Sequence, residues 1–209
     1  MTRHEFRAAL ATIALVVVVQ SFVHLWVVRA NGHIGSIVDL DRSNGVPDLA
    51  STPVLALATL GALVLAVKTS ESRRVWAAAL SAALVLVTLA DVLHDGPHPS
   101  SSMGIPVLVA VAAAVSLLIL LGARAAARPR WTIAVGVVLL AGSLAVSALD
   151  RPGTWFERQR GDLVRELQIV AKEGLELAGW SLAALAIWDE ALTMRQSLRN
   201  RSKRASTEA

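Results

Sequence analysis

The chain alternates long apolar runs with short charged punctuation, and the runs share one length. A helix needs roughly 20 predominantly apolar residues to cross about 30 Å of hydrocarbon. Runs of about that length occupy residues 8–28, 49–67, 75–93, 105–123 and 131–149, and a sixth, 169–190, is interrupted by Lys172, Glu173 and Glu176. The pattern predicts an all-α fold, an integral membrane bundle of six transmembrane helices. Residues 1–194 would form one helical domain and residues 195–209 a basic tail. The sixth span is the costliest to insert, because ionised side chains inside a bilayer are expensive and tend to mark function.

Composition agrees with the pattern. At 209 residues the chain is 55% apolar and 17% charged, with a mean hydropathy of +0.57, against about 45–50% and 25% for an average soluble domain. A soluble bundle would show polar stripes at helical spacing. Between Val75 and Ala90 only Ser81 and Thr88 are polar, and between Ile105 and Gly122 only Ser116 is. With no cysteine in the chain, disulfides and thiolate metal sites are excluded, so a bound metal would use imidazole and carboxylate ligands. Arg3 and Arg7 before the first run resemble the start of a secretory signal. That run is too long for one, and Arg29 stands where a small-residue cleavage site is wanted. The first run therefore reads as an uncleaved span.

Short cytoplasmic loops carry the excess of Lys and Arg. Arg3 and Arg7, then Lys68, Arg73 and Arg74, then Arg124, Arg128 and Arg130, and finally Arg195, Arg199, Arg201, Lys203 and Arg204 fall on one side. Arg29, Arg42, Arg151, Arg158, Arg160 and Arg165 fall on the other. Thirteen against six places both termini in the cytoplasm, and the expected location is a bacterial inner membrane, crossed several times.

With that orientation, ionisable residues gather towards the outer face: His24 in the first span, Asp91 and His94 at the end of the third, Glu173 and Glu176 in the sixth. Asp91 and His94 are three apart, as are Glu173 and Glu176, so each pair shares a helical face. Carboxylates with one or two imidazoles suit a divalent cation such as Zn²⁺, Mn²⁺ or Fe²⁺, and the same groups can relay protons. The candidate metal ligands are therefore Asp91, His94, Glu173 and Glu176, with His24 as an additional one. Each also has a plainer reading. Gly96 and Pro97 stop the third helix at a polar interface, Lys172 or an arginine neutralises the glutamates, and His24 bonds a neighbouring helix. A di-iron centre is disfavoured, since only one carboxylate-x-x-His occurs within a span.

The remaining motifs are weaker. Asp39 to Gly45 alternates acidic residues like a calcium loop, but Asn44 and Ala50 stand where an EF-hand wants Gly and Glu. It reads as a turn, with Ser51 or Thr52 capping the second helix and Pro53 in its first turn. Trp155 and Phe156 beside Arg158 and Arg160 read as an interfacial anchor. The following residues suggest either a helix lying along the membrane or a long, projecting sixth helix, on which Arg165, Glu166 and Lys172 form a solvated face. The lipid bilayer is the main partner. Arg199, Arg201, Lys203 and Arg204 suit anionic lipid, no nucleic-acid partner is expected, and small residues four apart permit close helix contact without specifying an oligomer.

Three stretches carry a family resemblance: Asp41-Arg42, Pro47 and Ser51 before the second span; Leu89-Ala90-Asp91-Val92-Leu93-His94-Asp95; and Lys172-Glu173-Gly174-Leu175-Glu176-Leu177-Ala178-Gly179. In these the chain resembles a group of uncharacterised bacterial polytopic membrane proteins, whose members carry an acidic-proline-serine loop, an acidic-histidine-acidic helix end and a late Glu-Glu-x-x-Glu-Met-like run. Lys172 replaces the first Glu, Leu177 replaces the Met, and Asp91 lies closer to His94 than the usual acidic pair. The resemblance implies a shared fold and a shared outer site, and brings no activity. Three readings stand: a membrane protein with a cation-binding or proton-relaying site, a structural or assembly subunit with buried ion pairs, and a membrane-embedded hydrolase acting on lipid or an envelope precursor.

Overall fold

In a computed structural model the chain forms six α-helices: α1 (Arg3–Asn31), α2 (Val46–Lys68), α3 (Glu71–His94), α4 (Gly104–Arg124), α5 (Ala127–Leu149) and α6 (Leu163–Ala205). The structure describes residues 1–31, 46–69, 71–94, 104–125, 127–149 and 163–205. Every apolar run lies inside a helix, and no strand occurs among the described residues. Three helical stretches there are long and apolar enough to cross a membrane: Arg3–Ala30, Ser51–Lys68 and Arg128–Val146.

Two helix boundaries differ from those the sequence predicts. α2 begins at Val46, which places Ser51 and Thr52 within it and Pro53 in its interior. Those residues therefore do not cap the helix. Proline there forfeits the bond its N–H would have made to the carbonyl four residues back and crowds that carbonyl with its ring. α6 begins at Leu163 and runs unbroken to Ala205, so a single long helix carries both the start of the predicted sixth span and most of the basic tail. The Asp39–Gly45 loop and the Trp155/Phe156 segment lie outside the described residues.

Helices α2, α3, α4, α5 and α6 pack in sequence, and α6 closes the ring by packing back on α2. Their shared core is built from short and branched side chains: Leu55, Ala58 and Ala62 of α2; Leu80, Ala83 and Leu84 of α3; Ala114 and Leu118 of α4; Ile133 and Leu140 of α5; Trp180, Ala183, Ala186 and Ile187 of α6. Alanines at this density let backbones approach closely. The tightest approach joins α5 to α6, where a Cβ on Gly179 would stand 2.7 Å from Leu140 Cγ and 3.0 Å from the Gly136 carbonyl oxygen. On the other flank of α6, the Trp188 indole N–H donates to the Leu57 carbonyl of α2 at 2.9 Å.

Outside this ring, α1 lies against α6. Leu15, Val18, Val19, Phe22 and Trp26 are all at least half exposed, and Leu57, Leu60, Leu86, Ile119 and Val138 continue the apolar surface around the ring. An apolar surface that extends over so many helices is atypical of a soluble monomer. Several hydroxyls on the helices are satisfied within their own turn: Thr12 donates to the Ala8 carbonyl, Ser21 to Val17, Thr59 to Leu55 and Thr88 to Leu84. Such bonds remove the need for water around a polar side chain.

Candidate functional site

α6 positions the charged chemistry of the molecule. A helix N-terminus leaves its first N–H groups without intrahelical partners and favours a carboxylate there. Glu166 occupies that first turn. It is nonetheless fully buried, because it begins a seam of inward positions that continues through Ile169, Leu177, Trp180, Ala184, Ile187 and Ala191. His24 of α1, also 0% exposed, meets it, with Nε2 2.8 Å from Glu166 Oε2. A carboxylate in that position requires Nε2 to carry the hydrogen, so the imidazole donates and the carboxylate accepts. The two groups form a buried donor-acceptor pair across which one proton can be held in more than one place.

At the opposite end of the bundle lies a second set of ion pairs. Arg128 of α5 grips Asp189 of α6 with two bonds, Nε to Oδ2 at 2.7 Å and Nη2 to Oδ1 at 2.6 Å. Asp189 is 1% exposed. Arg128 also donates to the Met1 carbonyl at 3.0 Å and stands 5.0 Å from the centre of the Phe6 ring. Next to this group, Arg73 of α3 lies 3.6 Å from Glu190. The amino-terminal turn, the start of α3, the start of α5 and the late part of α6 therefore share one end. At 1.5 Å per residue, Glu166 and Asp189 are about 34 Å apart along α6, close to the thickness of a bilayer's hydrocarbon.

Between these levels stand the predicted glutamates. Glu173 is paired with Lys172, Nζ to Oε1 at 2.9 Å. Glu176 accepts from Ser143 Oγ of α5 at 3.5 Å. Asp91 and His94 end α3, and their side chains lie outside the described residues, as do those of Arg199, Arg201, Lys203 and Arg204. Of the predicted site residues, the structure joins His24 to an acidic group, that group being Glu166 and not one of the four proposed metal ligands. Among the described residues no group of three or more histidine and acidic side chains is placed to hold a metal.

Sequence reasoning gives Glu166 the wrong surroundings: it reads as part of a solvated face and is buried, as are Asp189 and Glu190 at the end of the sixth predicted span. For Glu166 a signal existed: it sits three residues before Ile169 and seven before Glu173, on the inward seam of α6.

The architecture is that of a helical bundle with an apolar exterior and ion pairs at two levels. A family model for a domain of unknown function, DUF8692, matches residues 8–190, and the chain belongs to that family. No curated protein matches the chain, and no solved structure does.

Proposed function

We propose that the chain is a multi-pass protein of a bacterial inner membrane, with six spans and both termini cytoplasmic, whose outer half holds a proton-handling site centred on His24 and Glu166. The observation that carries the reading is the wholly buried 2.8 Å contact between an imidazole and a carboxylate. Ionisable groups inside a membrane protein are expensive and cluster on ion and proton pathways. Histidine is the side chain whose charge ordinarily changes between pH 5 and 8. Lysine- and arginine-rich segments gathered at the Asp189 end support placing that end in the cytoplasm, and the basic extension of α6 then lies where anionic lipid is available.

Within this reading, Asp91, His94, Glu173 and Glu176 remain the proposed ligands of a divalent cation on the same outer side. The second reading is a structural or assembly subunit, and it is favoured by the two-bond closure of Asp189 by Arg128. The readings separate in liposomes holding the purified full chain and a pH-sensitive dye. A proton flux under an imposed membrane potential that falls at least about tenfold in His24→Gln and Glu166→Gln, as expected for loss of a general acid-base group, supports the first. Wild-type liposomes no leakier than empty ones leave the structural reading.

A further inference from the structure

α1 meets α6 at three heights. Met1, just before the helix, has its ammonium 3.5 Å from Asp189 Oδ1. Val17 and Ser21 flank Gly174, where a Cβ would lie 3.4 Å from Val17 Cγ1 and 4.0 Å from Ser21 Oγ. His24 meets Glu166 at 2.8 Å. Residues rising along α1 thus meet residues falling along α6 in step, and the two helices run antiparallel in a single register. Val17, Ser21 and His24 stand at i, i+4 and i+7 on one face of α1; Glu166, Val170 and Gly174 form a row four apart on α6. The Ser21 hydroxyl donates to its own helix, at the Val17 carbonyl, so its contact with Gly174 is one of bulk. Away from α6 the same helix is open, with Leu15, Val18, Phe22 and Trp26 62–64% exposed. The height of α1 above α6 is therefore set where α6 presents no side chain.

We propose that Gly174 is a positioning residue for the His24–Glu166 pair: by presenting no side chain, it lets α1 lie at the height where imidazole and carboxylate bond. The inference deepens the proton-handling reading above and rests on it for its function. The tolerance is small. A single methyl fits, because 3.4 Å is close to an ordinary van der Waals separation. Valine does not, since its two methyl groups extend about 1.5 Å beyond Cβ and a helix holds them in one rotamer, so α1 must rise. Gly174 is two turns, about 12 Å, from Glu166 along the same helix, and a rigid α1 carries the displacement to His24. An N···O contact of 2.8 Å that lengthens by about 1 Å is no longer a hydrogen bond.

Proton–nitrogen NMR of the detergent-purified full chain, isotope-labelled in histidine, reads the contact directly. In the wild type the His24 Nε2 proton, assigned by its disappearance in His24→Gln, should be shielded from exchange with water and shifted downfield by the carboxylate. Gly174→Ala should leave that signal in place. Gly174→Val should abolish it and lower proton flux in liposomes at least about tenfold, as loss of the acid-base group itself does. Exchanging the two side chains, Gly174→Val with Val17→Gly, restores the volume at the contact and should restore both readouts; a general loss of helix stability would not be repaired by a glycine placed in α1. An unchanged His24 signal in Gly174→Val overturns the proposal, as does a swap that fails to bring the signal back. A Gly174→Val chain that does not fold and is not recovered by the swap assigns Gly174 to the packing of the ring and overturns it equally. Wild-type liposomes no leakier than empty ones would refute the proton reading and leave the NMR result to decide the positioning. A conducting wild type whose His24 signal survives Gly174→Val would refute this proposal alone.

Discussion

The two ends of α6 solve one electrostatic problem with different bases. At one end Asp189 is closed by arginine, a group that stays charged at any ordinary pH; at the other Glu166 is closed by histidine, which does not. Removing two charges from water costs several kcal/mol per ion, and only good geometry recovers it. Arg128 and Asp189 achieve that geometry with two short bonds, and Arg128 keeps 36% of its side chain exposed. His24 and Glu166 have no exposure to fall back on, with side chains at 0% and 1%. They have another recourse, because a proton moved from an imidazolium to the carboxylate would leave both groups neutral and still hydrogen-bonded. The permanent pair suits a fixed joint, and the labile pair suits a site that changes state. His24 ties α1 to the ring directly, and Arg128 reaches the same helix through the Met1 carbonyl and the Phe6 ring.

The largest expected effect comes from breaking the fixed joint. Arg128→Ala leaves the buried Asp189 carboxylate with only the amino-terminal ammonium, 3.5 Å from Oδ1, to oppose its charge, and should lower unfolding stability in detergent by about 3 kcal/mol, the low end for a buried pair because the arginine is partly solvated. Adding Asp189→Ala should recover most of that loss, since removing both partners costs less than orphaning one. A double variant as unstable as the single one would mean that Arg128 acts mainly through Met1 and Phe6.

Close packing between the levels is the next target. Gly179→Val puts a branched side chain where even a Cβ meets Leu140 at 2.7 Å, and overpacking of this kind typically costs about 1–3 kcal/mol. Thermal unfolding should show the loss. If instead the melting temperature is unchanged, α5 and α6 can separate without cost, and the distance between the two levels is not fixed by this contact.

The labile pair should respond less. His24→Gln keeps a donor of similar reach and should destabilise by about 1 kcal/mol, an ordinary hydrogen-bond contribution. A loss as large as that of Arg128→Ala would remove the contrast between the ends. In the same experiment, Glu173→Gln with Glu176→Gln should lower bound Zn²⁺ or Mn²⁺ if the cation reading is right; unchanged metal content would leave those glutamates to Lys172 and Ser143.

How much of this was legible depends on the range of the interaction. The six helices follow from local apolar runs, and each run does lie in a helix. Lys172 beside Glu173 is a local pair and was foreseen as the plain alternative. The contact between His24 and Glu166 spans 142 positions, and nothing near either residue names the other. His24 announced that it needed a partner by standing in an apolar run. Glu166 concealed its burial, because counting charges around Arg165 and Lys172 suggests water, whereas following the seam from Ile169 back one turn suggests protein. Asp189 and Glu190 close the predicted sixth span, and the packing of α6 continues past them through Ala191.

The smallest effect tests how α1 is anchored at its fixed end. Thr2 and Glu5 form a reciprocal cap, the Thr2 amide donating to Glu5 Oε2 at 2.7 Å and the Glu5 amide to Thr2 Oγ1 at 3.2 Å, the Thr-x-x-Glu signature of a helix start. Thr2→Ala removes one of these bonds on an exposed turn, so global unfolding should not move. Amide exchange in the first turn of α1 should rise by a few-fold, as expected for a frayed helix end. The Arg128 bond to the Met1 carbonyl and the Phe6 contact lie just beside that turn and hold it independently of the cap. Fraying confined to the first turn would therefore mean that Arg128 anchors α1. If exchange rises as far as His24, the fixed joint and the labile pair are coupled through α1, and the two ends of the molecule are one device.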